Sequence, residues 1–481
     1  MHFLNRRDFL RDSAALLGAA AAAPSLLADQ RKVKDKNDQI HVACVGVRGQ
    51  GKGHVGGYAG KHGCVVTTIC DVDEAVVKAA MDVAKKGQGT EPKYVQDVRK
   101  VVEDPSIDVI SIATPNHWHA LAAIWGLMNG KHVYVEKPVS HNVSEGRRIV
   151  EAARYYKKVC QTGTQIRSQP GIREAIKFLR DGSLGKVKVA RGLCYKNRPS
   201  IGKVDGPQEP PQTMNFDLWC GPAPFKKPHR KSKNGTVHYD WHWIWDYGNG
   251  DLGNQGIHQM DVARWGLGKN ELARAAFSAG GRFGYVDDGE TPNTQVCGFD
   301  YGDAELIFEV RGLPTNNYQG AMVGNVFHCA DGYMVMPGYS DAIAYSMKGE
   351  VIKKFTGGAD HFGNFIKAVR ANDPQLLNAD IEQGHLSSAL CHLANISYRL
   401  GEEQPYDRAR AAFGDDKEAV KTLERTQEHL KTRNALTDGQ KYRVGRTLKL
   451  DAGKEEFADK EANALLTREY RKGFVVPAKI G

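Results

Sequence analysis

From Ile40 onward, short apolar runs alternate with amphipathic stretches of helical period. Ile40 to Val47 is an apolar run that ends in glycines, which predicts a buried strand, and a helical stretch follows from His54. Cys64 to Asp71 predicts a second buried strand and Glu74 to Lys86 a helix; Ile107 to Ala113 predicts a strand, Ala120 to Asn129 a helix closed by Gly130, and His132 to Val135 a strand. Ser144 to Lys157 reads as a helix and Val159 to Gly163 as a strand. Strands that alternate with helices in this way predict an α/β domain over residues 40–163, a doubly wound parallel sheet with helices on both faces.

Beyond about residue 185 the period changes. Lys186 to Tyr195, Ala275 to Phe283, Thr294 to Tyr301, Ala304 to Arg311 and Gly320 to Cys329 read as longer alternating strands with few helices between them. They predict an open antiparallel sheet, and so a second, α+β domain over residues 164–405. His361 to Ala371 and Ile381 to Leu400 are amphipathic helices expected to pack back on the body. Residues 406–481 form a charged extension with helical runs at Asp416 to Arg433 and Gly453 to Lys472, and no internal repeat stands out. Gln30 to Gln39 is charged and lacks apolar period, which makes residues 31–39 a tether.

Residues 1–30 are of another kind. Paired Arg6 and Arg7, then Phe9 and Leu10, precede a weakly hydrophobic stretch from Ala14 to Ala23 that Pro24 ends. This resembles a twin-arginine signal, the route that carries folded proteins, and implies the twin-arginine translocase as a partner and a periplasmic or secreted destination. No other stretch approaches the roughly 18 apolar residues of a spanning helix, so no stable membrane insertion is expected.

The 481 residues suffice for two domains. A net charge of +10 raises nucleic acid as a partner, but the basic residues share every long segment with acids rather than gathering on one face. Nucleic acid is therefore not expected, while weak attraction to an acidic sugar or a membrane surface stays open. The nine cysteines are scattered, odd in number and mostly flanked by apolar residues. They read as buried thiols in strands rather than as a disulfide framework or zinc site, and folding before export accounts for free thiols in an oxidising destination.

The turn Gly46-Val-Arg48-Gly49-Gln50-Gly51 places glycines where a strand bends sharply and backbone N–H groups approach a pyrophosphate at a helix N-terminus. Arg48 stands where the usual pattern has its second glycine. Asp71, at the end of the second predicted strand, suits the hydroxyls of a ribose and disfavours a 2′-phosphate, so NAD is preferred to NADP. Arg48 argues the other way if it pairs with a phosphate.

Ala113-Thr114-Pro115-Asn116, His119 and Gly130-Lys-His-Val-Tyr-Val-Glu136-Lys137-Pro138 complete a pattern that resembles the Gfo/Idh/MocA oxidoreductases, the group of glucose-fructose oxidoreductase and inositol 2-dehydrogenase. The resemblance spans about residues 38 to 405. It implies a Rossmann domain followed by an open-faced sheet domain, with the nicotinamide between them. It also implies that Lys137 stands beside the nicotinamide and contacts the substrate hydroxyl, before a Pro138 whose peptide bond is commonly cis in that family. A buried ammonium beside a positive ring has a depressed pKa and stabilises a developing alkoxide.

Gly248-Asn-Gly-Asp-Leu-Gly-Asn254-Gln-Gly-Ile-His258-Gln-Met-Asp261 resembles the same family's Asp-x-Gly-x-His-x-x-Asp element. His258 is the candidate general base. Asn254 stands where the family's dehydrogenases usually carry Asp, and an amide cannot store a proton. Either Asp251 or Asp246 substitutes for it, and Asp261 is expected to orient the helix. Tyr239-Asp-Trp241-His-Trp243-Ile-Trp-Asp246-Tyr247 either stacks on sugar C–H faces, with acidic and His side chains on hydroxyls, or fills a domain interface. Tyr195, Lys196, Asn197 and Arg198 end the first strand of the second domain and are further substrate-site candidates. His238 with His242 and His117 with His119 lack further ligands, so no metal is expected.

These readings converge on an exported NAD(P)-dependent oxidoreductase acting on a sugar or polyol. A compartment without a soluble nicotinamide pool requires a tightly bound cofactor that regains its redox state in every cycle. Two chemistries meet that requirement: ping-pong hydride transfer to a second carbonyl compound, and glycoside hydrolysis by oxidation, elimination, water addition and reduction. The open sheet of the second domain predicts a homo-oligomer.

Overall fold

The computed structural model describes residues 38–230, 237–414, 416–433, 435–436 and 439–481. The twin-arginine segment and the tether up to residue 37 lie outside the described residues. The apolar runs of the first domain become six strands: β1 Ile40–Val45, β2 Cys64–Cys70, β3 Lys93–Val95, β4 Val109–Ile112, β5 His132–Val135 and β6 Cys160–Thr162. They lie in the order β3-β2-β1-β4-β5-β6, every neighbouring pair parallel. The strand order reverses between β1 and β4, and at such a switch point the connections leave in opposite directions and open a crevice beyond the strand ends.

Both faces of this sheet are covered, which is why its strands read as continuous apolar runs. On one face Val55, Tyr58, Ala80 and Ala84 from helices Gln50–Tyr58 and Val77–Gln88 pack with Phe365 and Ile366 of helix His361–Ala371. On the other, Leu121, Ile124 and Ile149 from helices Asn116–Met128 and Val143–Tyr155 meet Ile110 and Ile112. The helix expected from Ala120 begins at Asn116. Its first turn is buried through polar Asn116, His117 and His119, which a search for hydrophobic period does not count.

The second sheet contains β7 Val187–Tyr195, β8 Ala275–Gly281, β9 Thr294–Asp300, β10 Glu305–Arg311, β11 Val323–Cys329, β12 Gly332–Met336, β13 Ala342–Ser346, β14 Val351–Phe355, β15 Glu402–Gln404 and β16 Tyr442–Val444. Their order is β14-β13-β12-β11-β7-β10-β9-β8-β16-β15. The sheet is mixed rather than wholly antiparallel, because β10 runs parallel to β7. The chain between those two strands passes through helices Gly250–Asn254 and Gly256–Leu267, the kind of crossover that a parallel pair requires.

Helices Pro170–Arg180, Gly256–Leu267 and Ile381–Arg399 cover one face of this sheet, where Ile176, Met260, Phe308, Phe327 and Leu390 share one core. The expected open face is partly closed by the chain's own tail. Phe413 and, from helix Lys417–Thr432, Ala419, Leu423 and Leu430 pack on Phe277, Val296 and Ile307.

The helix expected from Gly453 to Lys472 is replaced by a hairpin of β17 Leu448–Asp451 and β18 Glu456–Phe457 and one short helix, Lys460–Ala464. Asp451 Oδ1 accepts from the backbone of Gly453 and Lys454, and Glu455 takes φ +57°, so a turn wins over local helix preference. Beyond it, Phe474 and Val476 enter the core of the first domain, with Phe474 edge-on to Trp118 at 5.6 Å. All nine cysteines are buried free thiols. Among the described residues no helix is long and apolar enough to cross a membrane.

Candidate active site

The carboxyl ends of β1, β2 and β4 open into a cleft of about 570 Å³ that continues to the second domain. β1 leads through Gly46 into helix Gln50–Tyr58, and two glycines make that turn possible. Gly46 has φ +78°, and a Cβ there would stand 2.7 Å from the Thr114 nitrogen; a Cβ on Gly51 would stand 1.8 Å from the Gly46 carbonyl oxygen. Arg48, Gly49 and Gln50 line the cleft, and Gly51 lies at the base of the turn. Gly49 provides no side-chain cap, so the first N–H groups of the helix are open to an anion.

Asp71 follows β2 and is held by two backbone donors, Val47 N to Oδ2 at 2.8 Å and Asp73 N to Oδ1 at 3.0 Å. Burial pushes its carboxyl up to about 6 against those donors. Thr114, Pro115, Asn116 and His119 line the same cleft. Thr114 Oγ1 is buried without a partner, and Asn116 donates to Asn249 Oδ1 at 2.9 Å. The two ring nitrogens of His119 face the carbonyls of Thr114 (2.7 Å) and Pro138 (2.6 Å), tying together the two segments that border the cleft. A free helix N-terminus, a carboxylate at the end of β2 and an orphaned hydroxyl at the end of β4 fit the phosphates, ribose and nicotinamide end of a dinucleotide.

β5 delivers Glu136 and Lys137, and the Lys137–Pro138 bond is cis. The Glu136 carboxylate is buried and accepts from His54 Nε2 at 3.1 Å, Gln165 Nε2 at 3.1 Å and the Lys137 backbone at 3.2 Å. Burial opposes its charge, but His54 and the Lys137 ammonium hold the carboxyl down to about 2. Lys137 Nζ donates to the Asn254 carbonyl at 2.9 Å. Burial pushes the Lys137 pKa down, Glu136 opposes this, and the nearby cations Lys196 and Arg198 reinforce it.

His258 sits in the first turn of helix Gly256–Leu267, lines the cleft and is 5% exposed. Its Nδ1 is buried without a hydrogen-bond partner, and its ring meets Tyr339 edge-on at 5.2 Å. Burial, and then the Lys137 charge, push the imidazole down to about 3, so the ring is neutral throughout the physiological range. Asn254 uses its carbonyl, not its amide, to hold Lys137. Asp251 is committed to Arg198 in a two-point pair at 2.8 and 2.9 Å, and Asp246 pairs with Lys226 at 2.8 Å outside the cleft.

Other expected residues lie elsewhere. Asp261 is buried against Arg167 at 2.7 and 2.9 Å and accepts from Ser387, which anchors its helix. The Tyr195 hydroxyl donates to Glu309 beside Arg425, on the side of the sheet that carries the tail helix. Trp241 lines the cleft and stacks on His242 at 3.6 Å, whereas Trp243 does not line it and lies under the Arg198 guanidinium. Met214, Trp219, Gln255 and Tyr339 also line the cleft and were not singled out from the sequence. Gln255 lies within the run that contains His258, the signal that could have found it. Tyr339, in the connection from β12 to β13, carries no local signal.

The NAD-binding Rossmann-fold domain of the Gfo/Idh/MocA oxidoreductases matches residues 40–164, and the C-terminal alpha/beta domain of that family matches residues 173–432. Over 206 residues the chain is 28% identical to a protein from a Shewanella species named glycosyl hydrolase family 109 protein. It is 27% identical to one from Shewanella oneidensis named alpha-N-acetylgalactosaminidase. Each match takes 39% of this chain and 45% of the relative, so the chain spans about half the length of the curated relatives it matches. Levoglucosan dehydrogenase, solved with NADH and levoglucosan, superposes with a TM-score of 0.56 at 18% identity, covering 74% of this chain and 96% of that one. The WlbA dehydrogenase of Bordetella pertussis, solved with NADH and UDP-GlcNAcA, gives 0.55 at 18% identity over 75% and 97%. At that identity the likeness is one of fold.

Proposed function

The chain belongs to the Gfo/Idh/MocA oxidoreductase family, and on that premise we propose an exported enzyme that moves hydride between a sugar or cyclitol hydroxyl and a tightly held NAD. The observation that carries this reading is the meeting of Lys137, on the Asn254 carbonyl, with a neutral buried His258 in a cleft continuous with the glycine turn and Asp71. Bound NAD supplies a hydride acceptor that can also return what it took. The Gly46–Gly51 turn and the open helix end would hold its phosphates, Asp71 a ribose, and Thr114 with Asn116 the inner end of the cleft. Asp71 disfavours a 2′-phosphate and supports NAD over NADP.

His258 takes the proton of the substrate hydroxyl, and the Lys137 ammonium stabilises the alkoxide that forms. Glu136, fixed by His54 and Gln165, balances the Lys137 charge. Trp241, stacked on His242 by one face, lines the cleft where an aromatic ring can meet the C–H face of a sugar. The twin-arginine segment supports export, and export favours a cycle in which the hydride is passed to a second carbonyl compound.

A second reading, NAD-dependent glycoside hydrolysis, is favoured by the names of the curated relatives and by the amide at position 254. Oxidation of one sugar hydroxyl acidifies the neighbouring C–H, and elimination expels the aglycone. Water addition and reversal of the oxidation restore the sugar. Purification without added NAD, followed by assay of the denatured supernatant for nucleotide, tests cofactor retention; absence of bound nucleotide overturns it. Free polyols and aryl glycosides, offered separately, divide the chemistries. NADH accumulation with a polyol supports the dehydrogenase, and aglycone release without net NADH supports the hydrolase.

A further inference from the structure

Three cations line the substrate end of the cleft: Lys137, Lys196 and Arg198. Two of them have local carboxylates. Arg198 is matched by Asp251, and Lys137 follows Glu136, whose carboxyl stays ionised down to about 2. Lys196 is exposed and has no carboxylate within ion-pair distance among the described residues. Its ammonium donates to Gln255 Oε1 at 3.0 Å, a neutral amide. Lys137 is held on the carbonyl of Asn254, the preceding residue, so two ammonium groups are anchored on consecutive residues of one turn. Like charges so placed repel, and one positive charge is left without a partner at the mouth of the site.

A hydroxyl group stands ready beside it. Gln255 Nε2 donates to the Tyr339 hydroxyl oxygen, so that bond does not use the Tyr339 proton, and the Gln259 side chain is the hydroxyl's other polar neighbour. Tyr339 is 37% exposed and lines the cleft beside His258. An ammonium and a hydroxyl donor on the two sides of one glutamine match the two oxygens of a carboxylate.

We infer that the sugar this cleft accepts carries a carboxylate, as a uronic acid does, bound by Lys196 and Tyr339 while its reacting hydroxyl lies at Lys137 and His258. A single unmatched charge calls for a monoanion, whereas a dianionic sugar phosphate would bring one charge too many. This inference rests on the oxidoreductase reading of the same cleft.

The test uses the full-length protein as purified with its nucleotide. Glucuronate and glucose, galacturonate and galactose, and the two hexose 6-phosphates are titrated while the absorbance of bound nicotinamide is followed. For at least one pair the acid should half-saturate at a concentration about tenfold or more below that of the neutral sugar. The preference should shrink in high salt, collapse in Lys196→Met and survive in Lys196→Arg. Tyr339→Phe should reduce it in part. Neutral sugars equal to or better than the acids, a stronger preference for the phosphates, or an acid preference unchanged in Lys196→Met would each overturn the inference while leaving the oxidoreductase reading intact. Failure of every sugar, acidic or neutral, to alter the bound nicotinamide would overturn both.

Discussion

At position 51 the backbone leaves no room for a methyl group, because a Cβ would stand 1.8 Å from the Gly46 oxygen. Gly51→Ala should move the turn, cost about 1–3 kcal/mol of stability and release the nucleotide, as read by the nucleotide content of the purified protein and its melting temperature. On the proposed mechanism Lys137 and His258 set the pH profile. His258 is neutral above about pH 3, so the acid limb of kcat/KM should not follow an ordinary histidine near 6.5. Lys137 loses its proton below the usual lysine value, so activity should fall at alkaline pH earlier than 10.5. Lys137→Arg should move that limb up, measured as kcat/KM against pH. Both residues were legible because each stands in a short run of defined spacing. Tyr195 was not, since side chains alternate across a strand and one residue decides the face; Lys196 and Arg198, just past the strand, reach the cleft instead.

Helix Lys417–Thr432 was legible because Asp416 caps it, accepting from Glu418 N and Ala419 N, and because one face is apolar. The hairpin of β17 and β18 was not, because its sequence is charged and helix-tolerant and its shape is set by distant partners. Glu455, at its turn, binds Arg147 and also His385, the latter at 2.9 and 3.1 Å. These partners, against the opposing effect of burial, hold its carboxyl down to about 2. A depressed carboxylate contributes stability that is present above its unfolded value near 4.5 and fades as pH falls toward 2. Glu455→Gln should therefore cost about 3 kcal/mol at pH 7 and much less near pH 2, measured by denaturant unfolding at both. The parallel pairing of β7 and β10 escaped for a different reason: strand period carries no information on direction.

Across the molecule, the two-domain order was legible from the change of period near residue 185, but the bracing between domains was not. Helix Ile381–Arg399 packs against both domains, and residues 466–476 run back along the first. Phe474 packs on Trp118, whose indole N–H donates to the Leu218 and Trp219 carbonyls at 2.9 and 3.1 Å, and Leu218 and Trp219 line the cleft. Phe474→Ala should cost about 3 kcal/mol and speed release of bound nucleotide, followed by fluorescence after dilution into an excess of competing nucleotide. The same contact orders events during synthesis. The first domain is written by residue 164, yet two side chains of its core are encoded about 310 residues later. During synthesis this part of the first domain's core is therefore completed only after the second domain has been made, when Phe474 and Val476 reach Trp118 and its neighbours.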